Sequence, residues 1–305
     1  MIALVGKQPM PIMIPLWQQP KKITSIQFVS TKATIQQANM LADVVKADKD
    51  LKHIYVDEHI IVGAYDLDKT RTKVASTIKK NRNKTILVNY TSGTKVMSSA
   101  CLLATQDHED SMLVYVSTEE NQLLFYRPKI NEEIREVINI KIDANQYFRA
   151  HGLETSLHPN FTHSKPPVQP PKAGDALEKF AYNICKQSKL FDDVQKNLFF
   201  RKKPHEGIES SDEKNELDLV VTFNGNLAVC SCKSGNLENE AIYELTAISR
   251  TEAMGIYCSR FLITNTARKD IPKIIKDRSK TGGIILISKE DLPNLPMRIK
   301  TYLER

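Results

Sequence analysis

Residues 215–233, NELDLVVTFNGNLAVCSCK, constrain this chain more than any other stretch. Two apolar, β-branched runs, 217–223 and 227–232, flank Asn224-Gly225-Asn226. An Asn-Gly step between such runs is a strong local signal for a tight antiparallel hairpin. Pairing across that turn brings the start of the first strand to the end of the second, making Asp218 and Lys233 neighbours. Alternation puts Asp218 on a face with Val220, and Lys233 on the side of Ser231. A carboxylate and an amine on adjacent strand ends suit metal-assisted phosphodiester cleavage. The carboxylate offers a hard oxygen to Mg²⁺ or Mn²⁺, which polarises the phosphoryl group and activates water. The lysine orients that water or stabilises transition-state charge. An ordinary hairpin ending in an exposed lysine accounts for the stretch equally well.

These residues resemble the core of the PD-(D/E)xK nuclease superfamily, an Asp on one strand and (D/E)-x-Lys on the next. In Ser231-Cys232-Lys233, serine stands where the second acid is expected. Serine supplies no charge, so another carboxylate must come from elsewhere. Glu216 precedes Asp218 by two positions, and Glu178 lies beside the apolar stripe of a helix predicted over 175–187. A first-helix glutamate often faces the metal in this superfamily. The resemblance therefore implies Asp218, Glu178 and the carbonyl of Cys232 as metal ligands and Lys233 as the group that positions water. Glu216 and Ser231 complete the expected catalytic set. A glutamate near a helix N-terminus is also favoured by the macrodipole alone.

At 305 residues the chain is long enough for two ordinary domains. Its net charge of +7 suits a polyanionic partner without requiring one. The five cysteines are odd in number and scattered, and Cys230 and Cys232 alternate along one strand with no second pair nearby. They read as reduced core thiols rather than zinc ligands. No apolar run reaches membrane-spanning length, so a soluble, cytoplasmic protein with no membrane partner is expected.

The first strand, from Ile2 to Val5, ends at Gly6 before a polar, proline-bearing loop, 7–11, with Leu16 and Trp17 covering the sheet. Further strands at 25–29, 53–56, 85–89 and 112–116 alternate with helices at 34–46, 69–80 and 96–104. That rhythm predicts a mostly parallel, doubly wound sheet, to which 123–126 adds an antiparallel strand. The loop 89–98 joins a buried strand to a helix through hydroxyls, Gly93 and Lys95. It offers a phosphate backbone N–H groups, a helix N-terminus and one cation, although the Walker A spacing is absent. Thr94 reads as a helix cap as well.

The run Thr91-Ser92-Gly93-Thr94-Lys95-x-Met97, after an N-terminal Gly6-x-Gln8-Pro9, resembles the CARF domains of type III CRISPR ancillary proteins. Those Rossmann-like domains dimerise and bind a cyclic oligoadenylate across the two-fold axis. The resemblance implies that Gly93, Thr94 and Lys95 contact the ribose-phosphate ring, with Gln8, Pro9, Thr31, Thr91 and Ser92 around it. Ser92 stands where glycine is common, which is tolerable unless the position needs positive φ.

A helix over 144–150 ends at Gly152, and the proline-bearing segment 156–174 reads as a linker. His151, His158 and His163 fall around it and read as solvated side chains. The expected division is a sensing domain at 1–155, the linker at 156–174 and a nuclease domain at 175–305. The second domain opens with the helix 175–187, its stripe Leu177, Phe180, Ala181 and Ile184. A strand over 191–200, basic Arg201-Lys202-Lys203 and a polar loop, 204–214, lead into the hairpin. A helix over 238–254 carries Glu244 near the site, followed by a strand at 260–264, a basic helix at 267–279 and a last strand at 283–288.

The expected fold class is α/β, an N-terminal Rossmann-like CARF domain followed by a restriction-endonuclease-like α/β nuclease domain. The whole chain resembles the short CARF–nuclease effectors of type III CRISPR systems. This implies a homodimeric endonuclease that takes Mn²⁺ or Mg²⁺, is switched on by cyclic tetra-adenylate, and cuts DNA or RNA. The rival reading is a cyclic-oligoadenylate sensor whose degenerate nuclease fold only docks nucleic acid, which Ser231 favours. An ordinary nucleotide-dependent Rossmann enzyme fits less well, lacking GxGxxG and an acid after the second strand.

Overall fold

Short β-branched runs separated by amphipathic helices build the first of two units, Met1–Ile140; the second is Lys141–Glu304. The computed structural model describes residues 1–106, 108–158, 161, 175–202 and 215–304. Most of the expected linker 156–174, together with Lys203 and the loop 204–214, lies outside the described residues.

The first unit runs β1 (Ile2–Leu4), α1 (Met10–Gln18), β2 (Ser25–Ser30), α2 (Ile35–Ala47), β3 (Tyr55–Val56), β4 (Ile60–Ile61), α3 (Leu67–Lys80), β5 (Ile86–Asn89), α4 (Lys95–Thr105), β6 (Ser111–Ser117), β7 (Gln122–Arg127) and β8 (Glu132–Val137). Its sheet has the order β3-β2-β1-β5-β6-β7-β8, with β4 also on β2. Strands β1, β2, β5 and β6 are parallel, and β7 and β8 antiparallel. The chain moves from β1 outward to β2 and later returns to β5 on the other side. The crevice at the carboxyl ends of β1 and β5 is therefore the place where an open α/β sheet holds a ligand.

The structure adds elements here that sequence patterning does not give. The proline-bearing loop runs into a helix, α1, buried from Met10 to Trp17. Pro11 falls in its first turn, where the missing N–H costs nothing. Pro15 lies inside the helix and deprives the Pro11 carbonyl of its donor. The buried Asn89 amide replaces that donor, its Nδ2 reaching the Pro11 oxygen at 2.7 Å. The edge strand β8 is too charged to read as a strand, and that charge blunts an otherwise open edge.

The second unit comprises α5 (Ala144–Ala150), β9 (Leu153–Ser156), α6 (Asp175–Ser188), β10 (Asp193–Lys202), β11 (Asn215–Phe223), β12 (Asn226–Lys233), α7 (Asn239–Ile248), α8 (Thr251–Met254), β13 (Cys258–Thr264), α9 (Lys273–Thr281), β14 (Ile284–Ile287) and α10 (Leu295–Leu303). Its sheet order is β14-β13-β12-β11-β10-β9. Strands β9 to β12 pair antiparallel, and β12, β13 and β14 parallel. The division falls at Ile140 rather than at 155, because α5 and β9 belong to this unit. Strand β9 is short and polar and reveals its place only through its partner, with Thr155 opposite Phe200 and Glu154 paired to Arg201.

Three helices differ from their sequence patterns. On α6 the buried stripe is Leu177, Ala181 and Cys185, while Phe180 is 42% exposed. The expected helix 238–254 breaks into α7 and α8 at Ser249, whose carbonyl accepts from the Arg260 guanidinium at 2.7 Å. The basic helix starts at Lys273, after Pro272 and a 3₁₀ turn at Arg268–Asp270. Helix α10, which the sequence reading did not place, buries Leu295, Ile299 and Leu303 in the cluster that holds Leu219, Cys230 and Phe261. All five cysteines are free thiols. Among the described residues no helix is long and apolar enough to cross a membrane.

The hairpin forms as expected, with Asn224 at φ 50°, Gly225 at φ 80°, and Phe223 opposite Asn226. Two consecutive positive-φ residues match the right-handed twist of the flanking strands. Gly225→Ala should lower stability by about 1–2 kcal/mol in urea denaturation, the strain of a Cβ in left-handed backbone, whereas Asn224→Gly should change it much less.

Candidate functional site

In the first unit the expected ligand residues gather at the carboxyl ends of β1, β2 and β5. A Cβ at Gly6 would lie 3.0 Å from the Gly93 nitrogen and 3.3 Å from the Ser92 Cβ, so glycine lets the two loops touch. Gly93 takes φ +87°, while Ser92 is not among the positive-φ residues, which is why serine is tolerated there. Thr94 caps α4, its Oγ1 accepting from the Met97 N–H at 3.2 Å and donating to the Ala64 carbonyl. Gly93 and Lys95 are exposed at this edge, and Gln8, Thr31 and Thr94 half-buried. Pro9 and Ser92 are buried, so their contribution is to shape.

Thr91 is committed to the scaffold. Its Oγ1 donates to Asn89 Oδ1 at 2.8 Å and accepts from the Val116 N–H at 2.9 Å. Asn89 thus holds α1 with its amide nitrogen and the loop at Thr91 with its oxygen. Sequence reasoning missed Asn89 and Ala64. The available signal for Asn89 was a polar residue closing an apolar strand.

In the second unit the hairpin register, Leu219 opposite Cys230, carries Asp218 to Ser231. Asp218 Oδ2 accepts from the Cys232 N–H at 2.6 Å and from Ser231 Oγ at 3.3 Å. Serine in the place of the second acid therefore donates to the first. The Cys232 side chain is in the apolar core, so its backbone alone reaches the site. Burial raises the Asp218 carboxyl; the Cys232 N–H and the Lys233 charge oppose that. The Lys233 ammonium lies 3.3 Å from Glu244 on α7, the carboxylate that holds it.

Glu178 on α6 belongs to the same field. Burial, and then the carboxylates of Asp218, Asp175 and Glu216, push its pKa up to about 6. A carboxylate raised by burial and by neighbouring negative charge is favoured in its charged form when a cation arrives. Among the described residues no group of three or more His, Cys, Asp and Glu side chains forms a metal cage. Mg²⁺ and Mn²⁺ do not need one: a hard cation of this size keeps several waters and takes one or two carboxylates plus substrate phosphate. Asp218 and Glu178 fit that demand.

Two family models match the chain: the Card1 CARF domain over residues 1–142, and the Card1-like endonuclease domain over residues 172–304. The chain belongs to the Card1-like CARF–endonuclease family. Three solved structures share this family member's fold. Protein VC1899 from Vibrio cholerae is 13% identical with a TM-score of 0.79, covering 99% of this chain and 97% of that one. Can2 from Sulfobacillus thermosulfidooxidans, solved in complex with cyclic tetra-adenylate, is 14% identical at 0.73, covering 100% and 99%. A type III CRISPR defence DNA nuclease activated by cyclic oligoadenylate is 12% identical at 0.55, covering 92% of this chain and 51% of that one. No curated protein matches the sequence. In this Card1-like chain the loops that carry Gln8, Thr31 and residues 91–95 fall within the CARF match, and Glu178, Asp218, Ser231 and Lys233 within the endonuclease match.

A carboxylate that titrates at about 6 sets a pH dependence. Mn²⁺ affinity, measured by titration, should be constant above neutrality. It should then fall by up to about tenfold per pH unit as protons compete below pH 6.

Proposed function

We propose that this protein is a metal-dependent endonuclease switched on by cyclic tetra-adenylate in type III CRISPR defence. The observation that carries the proposal is the Asp218 carboxylate, held by the Cys232 N–H and Ser231 hydroxyl on the strand end that also carries Lys233, inside an endonuclease domain and in the electrostatic field of Glu178. The activator is inferred from Can2, whose fold runs the length of this chain and whose structure holds cyclic tetra-adenylate. Gly93, Thr94 and Lys95 would face its phosphates, with Gln8 and Thr31 alongside and Pro9, Thr91 and Ser92 shaping the loops. A ligand with two-fold character suits a homodimer, and it activates only by binding one dimer arrangement better than another.

Asp218 and Glu178 would hold Mn²⁺ or Mg²⁺, with the Cys232 carbonyl as a further oxygen. The bound cation would polarise the phosphodiester and make its water acidic. Lys233, held by Glu244 in the absence of substrate, would turn to the attacking water or the developing charge. The Cys232 N–H and Ser231 hydroxyl fix the Asp218 carboxylate, so its geometry survives without a second acid on β12. The substrate is DNA, by likeness to the CRISPR DNA nuclease, with RNA the other substrate to test. The location is the cytoplasm, where that defence operates.

The test is cleavage of plasmid, single-stranded DNA and RNA with Mn²⁺, with and without cyclic tetra-adenylate. Cleavage should require the activator, fall to background in Asp218→Ala, and drop roughly 10²–10³-fold in kcat in Lys233→Ala. Activator binding without cleavage of any polymer would instead favour a sensor that docks nucleic acid.

A further inference from the structure

A cavity of about 560 Å³ flanks the outermost strand of the second unit, between α9, β14 and α10. Arg268, Lys276, Lys280 and Arg298 line it. One carboxylate, Asp291, itself 8% exposed at its side chain, holds both guanidinium groups: Arg268 at 2.7 Å and Arg298 at 3.5 Å. A second acid, Glu290, accepts from the Arg268 backbone N–H. Lys276 and Lys280, one turn apart on α9, pair with no carboxylate among the described residues. The Ser279 hydroxyl between them is 1% exposed and has no hydrogen-bond partner, and the buried Arg298 Nε has none either. Four cations with two acids beside them, and buried polar groups left unsatisfied, form a site short of an anion.

The cavity is placed where a substrate strand would run. Lys233 pairs with Thr264 on β13, and Ile263 with Ile287 on β14, so Arg268 and Ser288 emerge on the sheet edge that carries Lys233. Adjacent strands lie ~4.8 Å apart, which puts β14 ~14 Å from β11, the strand of Asp218. One nucleic-acid strand advances ~3.4 Å per nucleotide along a duplex axis and further when single and extended, so that offset spans at most about four nucleotides.

We propose that this groove binds backbone phosphates of a single-stranded nucleic acid within about four nucleotides of the phosphodiester at Asp218. Asp291 preforms it by fixing the two arginine forks, and Lys276 and Lys280 supply the unpaired charge. The inference rests on the nuclease reading for the identity of the polymer. Phosphate contacts of this kind carry affinity and salt dependence without base preference.

The test is fluorescence anisotropy of the full chain with fluorescein-labelled single-stranded oligothymidylate in EDTA, across a salt series. Lys276→Gln/Lys280→Gln should weaken binding by about tenfold and flatten the log–log salt slope by about 0.7 per lysine removed. Lys269→Gln/Lys273→Gln removes the same charge outside the groove and should leave affinity within about twofold. In cleavage with Mn²⁺ and activator, the groove variant should raise KM at constant kcat on long strands and leave unchanged an oligonucleotide too short to reach the groove. Equal affinity and slope in wild type and groove variant would overturn the groove even if cleavage is observed. Binding that follows these expectations without any cleavage would overturn the nuclease reading and leave the groove standing.

Discussion

A slip of one residue between the strands flanking Asn224-Gly225 would exchange their two faces, turning Asp218 into the apolar cluster of Leu219 and Cys230 and away from Ser231, since side chains alternate along a strand. The turn makes the register unambiguous, with two positive-φ residues and no slack. Everything at the site follows from it. Asp218 meets Ser231 and the Cys232 N–H, Lys233 leaves the strand end toward Glu244, and the opposite face carries the core against which α6 sets Glu178. The core holds the helix, and the helix holds the second acid.

The first unit solves a comparable problem with one buried amide. Asn89 answers the carbonyl that Pro15 leaves without a donor and, through its oxygen, ties down Thr91. An unpaired carbonyl buried in α1 would cost on the order of 1–3 kcal/mol. The same side chain thus offsets a helix defect and fixes the loop that leaves Gly93 and Lys95 exposed at the carboxyl edge of the sheet. Gly6 contributes by having no Cβ where the two loops touch.

Elements with strong local periodicity were legible in the sequence. The parallel strands of the first unit, the hairpin, α6 and the loop that closes on Thr94 all carry their pattern within a few residues. Elements fixed by distant partners were not. Strand β9 is recognisable only against β10, α1 violates proline rules that Asn89 restores from the end of β5, and β8 is an edge strand made of charges. Phe180 shows the limit of a helical stripe, since Cys185 rather than Phe180 is buried, continuing the four-residue step from Leu177 and Ala181. At the site, Asp218, Lys233 and Ser231 could be placed from the hairpin. The Cys232 N–H could not, because a backbone donor has no signature in side-chain identity.

The central claim of the proposed function is that burial and the field of Asp218 raise the Glu178 pKa at a cost that a divalent cation would relieve. Glu178 titrates higher in the folded chain than as a free side chain, so folding favours its protonated form. The penalty is present in full above pH 6 and disappears as pH falls toward the free value near 4.5. Differential scanning calorimetry of wild type and Glu178→Gln at pH 8, in EDTA and in Mn²⁺, addresses this directly. The account expects Glu178→Gln to melt above wild type in EDTA, and Mn²⁺ to raise the wild-type Tm but not that of the variant. A wild-type Tm unmoved by Mn²⁺, with Glu178→Gln melting at or below wild type in EDTA, would contradict it.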